Sequence, residues 1–362
     1  MKQAGNTLGA YQTHTNRPLL LVAAALCACV ASVVLACFFG AFPVSLKDVT
    51  AILLHGAGLG ALPAAAVDNP ALSVVVLDLR LGRVVLSLLV GAALAVAGTV
   101  YQGLLRNPLA DPFTLGVSSG AAFGASVAIF WGIGSVALPF FPAVGVLPAA
   151  ALLGATTALA AVLMLGRVGG VMRRETLVLA GVVVSTFLSA LISLVKSLDE
   201  ESVASIVFWI MGSLQGRGWH EVMLFMPWFV LGMLPVIRFS RELDILSLGE
   251  VQARQLGMDA GRVRLWLLLG AGALTGVSVA VSGVIGFVGL VVPHLVRLLI
   301  GAEHRPLLAV SALTGGLLLL WSDVLARTLL SGGAELPVGV VTALLGGPFF
   351  CLLLRRKTGQ SL

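Results

Sequence analysis

Few residues in this chain have the type and spacing to do chemistry. A loop that cradles phosphates needs Gly-Lys-Ser/Thr. The four lysines, Lys2, Lys47, Lys196 and Lys357, follow Met, Leu, Val and Arg, so nucleotide hydrolysis by such a loop is excluded. His14, His55, His220, His294 and His304 are scattered at no ligand spacing for zinc or iron. Cys27, Cys29, Cys37 and Cys351 lie in apolar runs without a CxxC, which reads as packing rather than a disulfide or metal set. No nucleophile–base constellation stands out, so the sequence predicts no catalytic residue and no metal site. His294, between Pro293 and Arg297, reads as a polar helix-end residue or as a substrate contact. Asp323 and Arg327 are spaced i, i+4 and can pair on one helix face.

The elements that carry these residues follow from composition. The 362 residues are 59% hydrophobic and 10% charged, with a mean hydropathy of +1.06. Soluble domains carry about 25% charged residues, and the 43 glycines suit membrane helices. The expected fold is an all-α polytopic membrane protein. A hydrocarbon core needs about 20 helical residues per crossing, and the apolar runs give ten, at roughly 18–41, 84–104, 113–134, 145–166, 176–195, 222–237, 265–281, 284–300, 307–330 and 338–354. The first run is too long for the apolar part of a signal peptide. The net charge of +6 is a topology signal rather than a nucleic-acid footprint. Lys47, Arg80, Arg83, Lys196, Arg217 and Arg327 fall on one side and the other basic residues on the opposite side, so the positive-inside rule places both termini in the cytoplasm.

The expected organisation is a cytoplasmic tail over 1–17, one transmembrane domain over 18–356 and a tail over 357–362. An external loop at about 42–83 contains an amphipathic stretch from Val44 to Val49. A cytoplasmic segment at about 238–264 sets Leu243, Leu246, Leu248, Val251, Ala253 and Leu256 at near-helical spacing, with Gly249 and Gly257 breaking it into pieces. This segment reads equally as a surface helix or as a docking element. Gly116, Gly120 and Gly124 form a double GxxxG, and Gly283, Gly286 and Gly289 recur every third residue. Both patterns predict close helix packing, with a path lined by small residues as the alternative.

Within the spans only Arg297, Asp323 and Arg327 are charged. Ion-coupled carriers place ionisable groups or broken helices near the bilayer middle, so a secondary carrier of a small solute without an ATPase partner is the disfavoured alternative, and a purely structural scaffold is a third. The stretch Arg80-Leu-Gly-Arg83, Gly91 to Gly98, Tyr101 to Asp111-Pro112 and Leu115 to Gly120 reads as two small-faced helices joined by a proline-punctuated inner turn.

That stretch resembles the permease subunit of binding-protein-dependent ABC importers for iron chelates, haem and cobalamin. So do Leu179-Ala180-Gly181, Gly286 to Arg297 through Pro293-His294, Glu335-Leu-Pro-Val-Gly339, and Gly346-Gly-Pro-Phe-Phe350. Gly82 departs from the proline common there. The resemblance runs over about 75–356. It implies a homodimer in the bacterial inner membrane, two ATP-binding cassette subunits that hold ATP and Mg, and a periplasmic substrate-binding protein. Besides membrane lipid it implies no other partner, no nucleic acid and no cofactor bound by this chain. It further implies coupling to the ATPase through Asp244, Ser247, Gly249, Glu250, Ala253, Leu256 and Gly257, and an inner gate at Asn107 and Leu109, with Thr176 a weaker match. Ser118 and Ser119 are expected along the path. Arg80, Arg83 and Arg327 match positions that grip acidic residues of the binding protein; pairing inside the chain with Asp78 or Asp323 is the alternative.

Overall fold

The computed structural model describes residues 2–358 apart from 41, 135, 139–140, 169–170 and 331, with side chains left aside over 2–17, 137–138, 141–144, 168, 171 and 352–358. Helix α1 (Lys2–Phe38) leads to a layer of short helices, α2 (Leu46–Gly56), α3 (Ala64–Asp68) and α4 (Ala71–Ser73). The chain then widens into π-type turns over Val74–Leu81 and tightens into α5 (Gly82–Leu105). After a 3-10 turn at Pro112–Leu115 come α6 (Val117–Phe130), α7 (Val146–Leu165), α8 (Arg174–Leu198), α9 (Glu200–Ile210) and α10 (Trp219–Arg238). Two short helices, α11 (Ser240–Leu248) and α12 (Glu250–Gln255), precede α13 (Ala260–Ser282), α14 (Val288–Ile300), α15 (His304–Thr328) and α16 (Val338–Thr358). The only strands among the described residues form two small antiparallel ladders, at Ala137–Leu138 with Phe141–Gly145 and at Arg167–Val168 with Val171–Met172.

Each of the ten expected spans falls on one of these helices. Seven are long and apolar enough to cross a membrane, while α6, α14 and α16 are shorter apolar helices. The helix α9 was not expected as a separate element. The fourteen residues of α6 and thirteen of α14 extend about 20 Å at 1.5 Å per residue, short of the hydrocarbon thickness of about 30 Å. Non-helical backbone completes both, and such backbone is tolerated at membrane depth where protein surrounds it.

Helix α5 is the axis of the molecule. Most of its side chains are buried, and it packs against α15, α13, α14 and α10. Glycine allows the closest crossings. A Cβ on Gly98 would collide with the Gly289 carbonyl oxygen of α14, and one on Gly91 with the Gly315 carbonyl oxygen of α15. In the expected GxxxG pair, Gly120 and Gly124 press α6 onto the Gly154 and Ala150 carbonyls of α7, so packing rather than a lined path explains them.

Two glycines depart from that pattern. Gly116 sits at φ 75°, joining the 3-10 turn to α6, and Gly283 at φ 70° ends α13. The expected start of the eighth span at 284 is thus non-helical backbone up to Phe287, itself at φ 68°. This break is held by other breaks. The Ser213 amide donates to the Ser282 carbonyl at 2.8 Å and the Gly339 amide to the Gly212 carbonyl at 3.3 Å. A Cβ on Gly339 would stand 2.8 Å from the Val284 oxygen.

Candidate coupling and gating sites

Residues 238–264 fold as the spacing of their apolar residues requires. Leu243 and Ala253 are fully buried and Leu246 nearly so. Gly249, at φ 150°, makes the break between α11 and α12. Gly257, at φ 75°, closes α12 with its amide on the Arg254 carbonyl at 2.9 Å. Ser247 Oγ donates within α11 to the Leu243 carbonyl at 2.9 Å. The opposite face leaves Leu248, Val251 and Leu256 each about two-thirds exposed.

Polar ties run from this segment into three spanning helices. Asp244 accepts the His304 backbone amide at 2.9 Å and stands 2.6 Å from His304 Nδ1. It thereby caps α15, whose His304 ring is buried. Arg106, at φ 47° just past the end of α5, donates from Nε to the Leu246 carbonyl at 3.1 Å. Glu250 pairs with the buried Arg264 of α13, which also donates to the Met172 carbonyl. The segment is therefore tied to the end of α5 and to the starts of α13 and α15. The sequence pattern pointed to Asp244 and Glu250 but not to His304, Arg106 and Arg264: the first two meet the segment across 60 and 140 positions, and Arg264 reaches back 14 positions across the turn into α13. A lone His at the start of an apolar helix was the available signal for His304.

The turn after α5 is built by its own side chains. Asn107 Oδ1 accepts the Leu109 amide at 3.0 Å, and both residues are exposed. Asp111 Oδ1 accepts the Phe113 amide at 3.0 Å and so caps the 3-10 turn. Burial pushes the Asp111 carboxyl up to about 6, against the opposing effect of that amide. Thr176 Oγ1 donates to the Gly166 and Arg173 carbonyls at 2.8 Å each, tying the start of α8 to the end of α7. Ser118 is buried and Ser119 partly exposed on α6. Asn107 and Leu109 share one turn, while Thr176 and the two serines belong to other elements.

At the other end the three arginines face inward. Arg83 donates from Nη2 to Asp323 at 2.8 Å and to Glu335 at 2.7 Å. Arg327 Nε lies 3.7 Å from Asp323, the expected i, i+4 pair. Asp323 is completely buried, a position a carboxylate occupies only when paired. Arg80 donates to the Cys37 and Phe38 carbonyls at 2.7 and 3.1 Å and also to the Phe42 carbonyl. It thus closes the C-terminal end of α1 rather than pairing with Asp78. Glu335, in the Glu335–Gly339 stretch, is a partner that no local sequence pattern marks. His294 is buried on α14. Among the described residues no three His, Cys, Asp or Glu side chains stand close enough to hold a metal ion.

A bundle of helices long and apolar enough to cross a membrane, built around one buried helix, defines a polytopic membrane protein. Residues 26–356 match the FecCD transport family, and the chain belongs to that family. It is 46% identical over 300 residues to an uncharacterised ABC transporter permease protein, YvrB, of Bacillus subtilis, covering 82% of this chain and 83% of the relative. It is 42% identical over 298 residues to the hemin transport system permease protein HmuU of Yersinia pestis, covering 81% and 86%. A solved inward-facing conformation of a metal-chelate type ABC transporter superposes with a TM-score of 0.79 at 33% identity, covering 92% of this chain and 98% of that one.

Proposed function

We propose that the chain is the membrane half of an ATP-driven importer for an iron-bearing chelate, haem or a ferric siderophore, with cobalamin the neighbouring alternative. In this reading two copies enclose the path in the bacterial inner membrane, with both termini in the cytoplasm. Two ATP-binding cassette subunits, carrying ATP and Mg, sit beneath, and a soluble binding protein delivers cargo from outside. The observation that carries the reading is the α11–α12 segment: its apolar rim of Leu248, Val251 and Leu256 faces away from the chain while Asp244, Leu246 and Glu250 tie it to α15, α5 and α13. ATP-driven movement of a docked partner thus reaches the helices that flank the 107–109 turn, the two-state element that alternating access requires. Outside, a carboxylate of the binding protein would reach Arg83 by displacing Glu335. A haem-class relative and a metal-chelate structural neighbour support the cargo class.

Co-purification tests the docking surface. The ATPase subunit should be retained by the wild-type chain and lost on Leu248→Glu with Leu256→Glu, two exposed positions that leave the fold intact. Equal retention by both would contradict it.

A further inference from the structure

Two cavities adjoin on the flank formed by α7 and α13. The upper one, about 270 Å³, is an apolar groove lined by Leu152, Leu159, Ala160, Trp228, Leu269 and Gly272. The lower one, about 770 Å³, is lined by Arg167, Arg254, Arg262 and Arg264 against two carboxylates, Glu250 and Asp259. Leu163 lines both. The same two helices supply successive turns to each. On α7, Leu152, Leu159 and Leu163 lead down to Arg167; on α13, Gly272 and Leu269 lead down to Leu265 and Arg262.

The lower cavity has a surplus of positive charge. Glu250 is engaged by Arg264 and, at 3.9 Å, by Arg254, and Asp259 caps α13 through the Arg262 amide at 3.0 Å, so four arginines stand against two carboxylates. The Arg254 and Arg262 side chains are exposed. Above it, the Leu159 side chain packs onto Gly272 and forms the groove floor, and Ala160 leaves the groove wall low. From Leu152 to Leu163 the groove rises about 16 Å at 1.5 Å per residue, close to half of a hydrocarbon core of about 30 Å. A basic cavity adjoining an apolar groove one leaflet deep fits one class of molecule.

We propose that this flank binds an anionic glycerophospholipid of the inner leaflet. The phosphodiester lies between Arg254 and Arg262, and one acyl chain runs up the groove against Trp228. Basic pockets between membrane helices are suited to such headgroups. The cavity borrows Arg254, Glu250 and Arg264 from the coupling segment and its tie to α13, but the transport reading stands whether or not the lipid binds.

The full chain, reconstituted with brominated-chain phosphatidylglycerol or phosphatidylcholine at equal mole fraction, tests this. The quenching lost on Trp228→Phe isolates the groove tryptophan. That component is expected to show a preference of roughly tenfold for phosphatidylglycerol, as two arginine–headgroup contacts supply. Arg254→Gln with Arg262→Gln should equalise the two lipids, and Ala160→Phe, at an exposed position, should remove the component for both. Equal quenching by the two lipids in the wild-type chain would overturn the proposal. Displacement of the brominated lipid by soluble glycerol phosphate would also overturn it, assigning the cavity to a free phosphate. A groove tryptophan that neither lipid quenches would show the flank covered by protein.

Discussion

Asp111 caps the turn that follows α5, and its carboxyl titrates near 6 because burial disfavours the charge. The native state therefore binds the proton more tightly than the unfolded chain, so the stability this group contributes is full below about pH 4 and falls as the pH rises through 6. Asp111→Asn keeps an acceptor for the Phe113 amide without the charge. It is expected to raise stability at pH 7.5 by roughly 1–3 kcal/mol and to have little effect at pH 4; thermal unfolding in detergent at the two pH values checks this, and equal shifts at both would count against it. At the opposite end, Arg83→Ala leaves the fully buried Asp323 with Arg327 at 3.7 Å as its remaining ionic partner. Breaking a buried pair this way costs about 3–5 kcal/mol, more than Arg80→Ala, which removes hydrogen bonds to carbonyls worth about 1.5–3 kcal/mol. Unfolding midpoints in the reverse order would contradict the network. The Asp323–Arg327 pair was legible because it lies on one helix turn. The Arg83–Glu335 contact spans 252 positions, and no local pattern records it.

At the scale of elements, spacing of small residues carried the packing. Gly120 and Gly124 were readable as a close crossing because a four-residue repeat lies on one helical face. Gly116 and Gly283 belong to the same repeats but serve turns at positive φ, since a glycine allows both uses and the repeat alone does not separate them. The shortness of α6 and α14 follows from those turns. Gly98 is the sharpest packing test, its crossing with Gly289 leaving no room for a methyl group. Gly98→Ala should destabilise by about 1–3 kcal/mol or more through overpacking, whereas Gly134→Ala, with its nearest neighbours at 3.9 Å, should be neutral. Unfolding curves of the two variants side by side decide it, and equal stability would mean that α5 and α14 do not approach as described.

For the molecule as a whole, the composition announced the membrane, and the stripe of apolar residues broken at Gly249 and Gly257 announced a pair of short amphipathic helices, whose coupling role came from the family resemblance. The wiring of that segment was not legible: His304 lies 60 positions from Asp244 and Arg106 lies 140 from Leu246. That wiring makes a prediction distinct from docking. Arg264→Ala releases α13 from Glu250 while leaving Leu248, Val251 and Leu256 in place, so a complex carrying it should still hydrolyse ATP but transport several-fold less per ATP. No metal-ligand spacing in the sequence distinguishes one cargo from another. The central claim is that this chain moves a metal chelate at the expense of ATP hydrolysed by its partner. Its most direct test is uptake into proteoliposomes holding the permease, its ATPase and its binding protein, with labelled haem, a ferric siderophore or cobalamin outside and ATP inside. The account predicts accumulation of one of these that requires ATP and falls in Arg264→Ala. Accumulation without ATP, or without the ATPase subunit, would contradict it.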